Sequence, residues 1–132
     1  MEGVNFPAMF QVIFNELSAA EVSQIPKELQ LELLMDFQIM PEDLEKLNSA
    51  STECFGIIKR DGQTLYRYRV KDYRIYFAPH EQGVLIHRVL HKNTIRDFLY
   101  RTNLPVDEDV QISESKGFWE LIEEGIRSRQ VK

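Results

Sequence analysis

The run RYRVKDYRIYF, positions 67–77, interleaves Arg67, Arg69, Lys71 and Arg74 with tyrosines and β-branched residues. Guanidinium groups are planar, permanently charged forks that fit the oxygens of a phosphate two at a time. Such a set suits a phosphodiester and the charge that builds on it during transfer. A group that moves protons near neutral pH has to stand beside it, and arginine cannot be that group. His91, followed by Lys92 at the end of a later β-prone run, is the first candidate for that role, because imidazole titrates in the right range. His87, two residues upstream, ranks second, and Lys92 adds charge.

A hairpin turning at Lys71-Asp72 sets Arg69 opposite Arg74 and Arg67 opposite Tyr76. Directly opposed residues share a face of the sheet. Arg67, Arg69, Arg74 and Tyr76 then lie on one side, and Tyr66, Tyr68, Val70, Tyr73, Ile75 and Phe77 on the other. Like charges set opposite each other are destabilising, so the Arg69–Arg74 pair is better explained by an anion between them than by solvation alone.

The elements that must hold this hairpin follow from periodicity. Residues 10–15, FQVIFN, predict a first strand. Ser18 and Glu21 have the spacing of a capping box ahead of AAEVSQI, and Pro26 suits the first turn of a second helix. Leu29, Leu33, Phe37 and Met40, with Leu34, form its apolar stripe; one helix kinked at Pro26 is the alternative. Residues 55–92 are β-prone and broken at Asp61-Gly62, Lys71-Asp72 and Gln82-Gly83, which predicts three or four antiparallel strands with tight turns. Residues 92–101 suggest a short closing helix. Past Pro105 and the acidic VDEDV, SKGFWELIEEGIRSRQ has Phe118, Leu121, Ile122 and Ile126 on one side and Ser115 as a cap. The fold expected is α+β: an N-terminal strand, a two-helix hairpin on a small antiparallel sheet of about four strands, a short closing helix and a C-terminal helix. The domain division expected is 1–104 for the main domain and 105–132 for an acidic extension.

The 132 residues carry a net charge of −5, and the charge is segregated. Residues 1–55 hold two basic and ten acidic side chains, 56–104 ten basic and four acidic, and 105–132 four basic and seven acidic. A positive block inside an acidic chain points to an anionic partner for the middle segment. Cys54 is the single cysteine, which excludes an intramolecular disulfide or a cysteine cluster, and the histidines lack metal-site spacing. No metal and no cofactor are expected. With no signal segment and no apolar run of membrane-spanning length, a cytoplasmic location and no membrane partner are expected.

A short strand, two helices, the hairpin RYRVKDYRIYF, and a strand ending in VLHK before a short helix together resemble the RelE/ParE toxin superfamily of toxin–antitoxin modules. The resemblance spans residues 9–104 and is strongest over 65–92. For its endonuclease branch it implies a metal-free, ribosome-dependent cleavage of messenger RNA. In that reaction the 2′-hydroxyl attacks the adjacent phosphate, translation stops, and a cognate antitoxin is the protein partner. Arg74 matches the family's phosphate-binding arginine, and Arg67 and Arg69 stand where some members have lysines. The catalytic set implied is Arg74, His91, Arg67, Arg69 and Lys92. Lys71, Tyr76, His87, Arg88, Arg96 and Tyr100 would contact RNA, Tyr100 replacing a tyrosine that the family carries nearer Phe98. Two other readings stay open: a poison of DNA gyrase, and a non-catalytic binding protein whose segment 105–132 covers the basic face.

Overall fold

The computed structural model describes residues 11–37, 55–80, 83–96 and 112–131. Strand β1 (Gln11–Phe14) runs straight into helix α1 (Glu16–Ser23), and a break at Gln24–Pro26 separates α1 from α2 (Lys27–Asp36). The cap of α1 is Asn15 rather than Ser18. Asn15 Oδ1 accepts from Ser18 N–H at 2.7 Å, and Ser18 Oγ accepts from Asn15 N–H at 3.0 Å, so Ser18 closes the box from the third helical position.

Four antiparallel strands follow: β2 (Phe55–Arg60), β3 (Gln63–Val70), β4 (Tyr73–His80) and β5 (Gly83–His91). The turn Asp61-Gly62 places both residues at positive φ, 51° and 82°, the geometry that matches the twist of a two-residue hairpin. The second turn holds Lys71 at φ 51°. The expectation of about four antiparallel strands needs correcting. The sheet has five strands in the order β1-β5-β4-β3-β2, and β1 joins β5 in parallel, with Gln11 beside Gly83 and Phe14 beside Ile86. Gly83 is required there, since a Cβ would collide with the Gln11 backbone.

The sheet is covered on both sides. One face carries Tyr66, Tyr68, Val70, Ile75, Phe77, Val84 and Ile86, which pack against Val22, Ile25, Leu33 and Phe37 of the two helices. Phe37 meets Tyr68 and Phe77 edge-on at 5.3 and 5.1 Å, a geometry aromatic pairs favour. Leu33 and Phe37 therefore do what the stripe predicts; Met40 lies outside the described residues. After the short helix α3 (Lys92–Arg96), helix α4 (Lys116–Arg127) packs on the second face. Its cap is Ser115, as the sequence suggests, with Oγ accepting from Phe118 N–H at 3.2 Å. Its inward side is rotated from the expected one. Phe118, Trp119, Ile122 and Gly125 are buried, while Ile126 is exposed.

One irregularity decides the register. Along β4 and β5, Tyr76 pairs with Arg88 and Phe77 with Ile86, so His87 is an extra residue in a β-bulge. Every residue of β5 after it changes sides.

Candidate nucleic-acid interface

The hairpin register is the one the sequence predicts: Arg69 opposite Arg74, Arg67 opposite Tyr76, and Tyr68 opposite Ile75. The three arginines thus emerge on one face. That face is not open. Arg67 is 3% and Arg74 8% exposed, and Arg69 is half-buried. Arg74 Nη1 donates to the carbonyls of Lys71 and Tyr73 at 3.2 and 3.4 Å, which bends the guanidinium toward the hairpin turn. At the same end, Lys92 Nζ lies 3.2 Å from Asp72 Oδ1 and Lys71 Nζ 2.8 Å from Glu32 Oε2. Both pairs are solvent-exposed, so they hold their lysines weakly and can be exchanged for another anion.

Helix α4 packs on part of the same face. Phe118, Trp119, Ile122 and the preceding Ile112 pack on Ile58, Leu65, Tyr76 and Leu90 of the arginine-bearing face. Tyr76, expected to contact RNA, is instead fully buried, with its ring 4.9 Å from that of Phe118. The reason is the amphipathic helix, whose apolar side needs a sheet face.

His91 does not stand beside the arginines. Its register partner is Tyr73, which belongs to the other face, and the two rings meet edge-on at 5.0 Å. Were His87 paired regularly with Tyr76, His91 would fall opposite Asp72 and share the arginine face; the bulge moves it across. Leu90 takes the place opposite Arg74.

His87 is also not an exposed contact. It is 7% exposed, and burial lowers its pKa from 6.5 by penalising the charged form. Arg88 is engaged inside the protein. Its Nε and Nη2 donate to the Glu21 carboxylate at 2.7–3.2 Å and its Nη1 to the Leu121 carbonyl at 3.0 Å. Arg96 closes α3, and Tyr100 lies outside the described residues. Among the described residues no three His, Cys, Asp or Glu side chains gather as metal ligands, and no helix is long and apolar enough to cross a membrane.

Two positioning residues had other roles in the sequence reading, Asn15 as the end of the first strand and Glu21 as the capping-box partner of Ser18. Asn15, 1% exposed, donates from Nδ2 to the carbonyls of His87 and Gly125 at 3.0 and 2.8 Å. Glu21 accepts from Val89 N–H at 2.9 Å as well as from Arg88. The tail continues the attachment: Glu16 N–H donates to Arg129 O at 2.8 Å, Val131 N–H to Phe14 O at 2.7 Å, and Gln130 bridges Asn15. A glycine inside an otherwise good helix, Gly125, was the available signal. It marks a place where backbone approaches closely.

No family model and no curated protein matches the chain. Among solved structures it is similar to a chain of the RelB–RelE antitoxin–toxin complex from Methanococcus jannaschii. The two are 20% identical over 67% of this chain and 99% of that chain, with a TM-score of 0.43. A likeness of that degree decides neither family nor function.

Proposed function

We propose that this chain is a toxin-type protein on the RelE/ParE scaffold, paired with an antitoxin, whose Arg67–Arg69–Arg74 face takes an RNA backbone. Its own α4 keeps that face closed. The observation that carries the reading is one juxtaposition: Arg69 stands opposite Arg74 on the same sheet face that α4 covers.

With the face open, Arg69 and Arg74 would flank a phosphate and Lys92 would approach from the turn end. In a transesterification the 2′-oxygen–phosphorus bond forms and the 5′-oxygen leaves. One proton departs from the 2′-hydroxyl and one arrives on the 5′-oxygen. Guanidinium groups stabilise the charge of the phosphorane but move neither proton. With His91 across the sheet, the first candidate for that work does not stand beside the arginines, and a positioned acid–base pair is worth about 10²–10⁴ in rate. The geometry therefore favours RNA binding and translational blockade over rapid cleavage.

Four buried apolar side chains on the covering segment each contribute about 1.5–3 kcal/mol to the closed form. An antitoxin that takes this face has to supply comparable apolar anchors as well as acidic groups.

The test is a translation reaction with ribosomes and a short message. Wild type is expected to leave translation nearly unaffected. Ile122→Glu, which puts a charge into the helix–sheet seam, is expected to arrest it, and Arg74→Ala added to that variant to restore it. Arrest by wild type that survives Arg74→Ala would overturn the proposal, and a DNA-damage response without arrest would assign the chain to the gyrase-poison reading.

A further inference from the structure

β5 outruns its parallel neighbour. Pairing with β1 ends at Ile86, and beyond it Val89 N–H points to the free edge, where Glu21 accepts it. The pair Ile75–Val89 is therefore one without cross-strand hydrogen bonds. Tyr73–His91, two residues on, has the same character, so the backbone polar groups of His91 also face that edge. A cavity of about 480 Å³ opens there, bounded by Glu21 of α1, Gln24 and Ile25 just past its end, Tyr73, Arg88, His91, Thr94 and Leu121. Sites for small molecules run about 300–1,000 Å³.

The groups on its wall are specific. His91 Nδ1 accepts from Asn93 N–H at 3.1 Å, so the neutral ring carries its proton on Nε2 and offers it as a donor. Tyr73, edge-on at 5.0 Å, fixes the ring plane. Gln24 and Thr94 are exposed and make no side-chain hydrogen bond among the described residues, which leaves an amide and a hydroxyl for a ligand. Ile25, Leu121 and the Tyr73 ring supply apolar wall. The charge balance argues against an anion. Its acidic and arginine lining residues, Glu21 and Arg88, neutralise each other at 2.7 Å, and Arg88 also lies 3.9 Å from Glu124.

We infer that this cavity binds an uncharged, planar heteroaromatic of nucleobase size. Its ring edge accepts from His91 Nε2–H and is completed by Gln24 and Thr94. His91 thereby gains a role on the face to which the bulge carries it. The site lies at the free edge of β5, where Leu90 and Leu121 also line it, and none of Arg67, Arg69 and Arg74 is among its lining residues, so it stands whether or not those residues bind RNA.

The experiment is a nitrogen-15 NMR titration of the full chain with adenosine, cytidine and uridine, each separately, with sodium acetate as a further arm. At least one nucleoside is expected to give saturable shifts at His91 Nε2 and at the Val89–Thr94 amides at low millimolar concentration. His91→Phe keeps the ring against Tyr73 and removes the donor. It is expected to weaken binding about fivefold, the worth of one hydrogen bond, as is Thr94→Val, while Lys59→Ala, exposed on β2 at the far edge of the sheet, leaves it unchanged. No saturable shift with any nucleoside up to about 10 mM overturns the inference, as does binding that neither His91→Phe nor Thr94→Val alters. Saturation by acetate alone also overturns it and assigns the cavity to carboxylates.

Discussion

Asn15 and Gly125, 110 positions apart, are joined by a hydrogen bond of 2.8 Å from the Asn15 side-chain amide to the Gly125 carbonyl. The same amide reaches the His87 carbonyl at 3.0 Å, and its oxygen caps α1. One buried side chain thus ties together the start of α1, the bulge of β5 and the helix that packs on the arginine-bearing face.

Replacing Asn15 by leucine keeps the branched shape but leaves two carbonyls and a helix-start N–H without the Asn15 side chain as partner. The expected loss is about 3 kcal/mol, from a lost cap of about 1 and buried unsatisfied groups of about 1–3. Urea denaturation measures it, and faster amide exchange in both α1 and α4 would show that the two ends are coupled.

Gly125→Ala tests the close approach. In an exposed helix interior, alanine stabilises by about 1 kcal/mol over glycine. At this position a Cβ overlaps the His87 carbonyl, so the sign reverses and a loss of about 1–3 kcal/mol is expected. Thermal unfolding measures the sign, and Trp119 fluorescence reports whether the helix has shifted.

His87 makes stability depend on pH. Burial holds its folded pKa below the 6.5 of the free side chain. The folded state therefore resists protonation, and this contribution is complete above about pH 6.5 and lost as pH falls through the lower folded value. The difference in unfolding free energy between wild type and His87→Gln is expected to be constant above pH 6.5 and to narrow below it, as read by denaturant titrations at each pH. A difference independent of pH from 7 to 5 would contradict this.

Arg88 and Glu21 are a largely buried pair, with side chains 12% and 21% exposed. Arg88→Met leaves the Glu21 carboxylate without its cation, with Val89 N–H as its remaining donor among the described residues. The expected cost is about 2 kcal/mol, below the 3–5 of a fully buried pair because solvent still reaches the carboxylate. The double variant Arg88→Met, Glu21→Gln is expected to recover part of it. Denaturation midpoints decide.

The β3–β4 hairpin was legible residue by residue, because a two-residue turn fixes register and register fixes faces. The face carrying Tyr66, Tyr68 and Phe77 and its partners Leu33 and Phe37 followed from the same alternation. The site was less legible, for two physical reasons. A bulge adds one residue without interrupting the hydrophobic pattern, so VLIHRVLHK gives no sign that His87 is the extra one and that His91 changes sides. An amphipathic helix shows that it needs a partner but not which, and the strand residues with the best alternation, Arg67 to Tyr76, read as an open charged surface when Leu65, Tyr76 and Leu90 make it a seat for α4. The exchange of Ser18 for Asn15 as the cap had a simpler cause: both types cap well, and the true cap depends on where β1 ends.

The central claim is that the arginine face is a phosphate-binding surface closed by α4. Fluorescence anisotropy with a labelled single-stranded RNA, across a salt series, tests it most directly. Wild type is expected to bind weakly and Ile122→Glu at least about tenfold more tightly, with a log–log salt slope near −2, about −0.7 for each of three phosphates. Arg69→Ala or Arg74→Ala in the opened variant should each reduce that slope by about 0.7. Equal affinity of wild type and the opened variant, or a slope that does not respond to either arginine, would contradict the account.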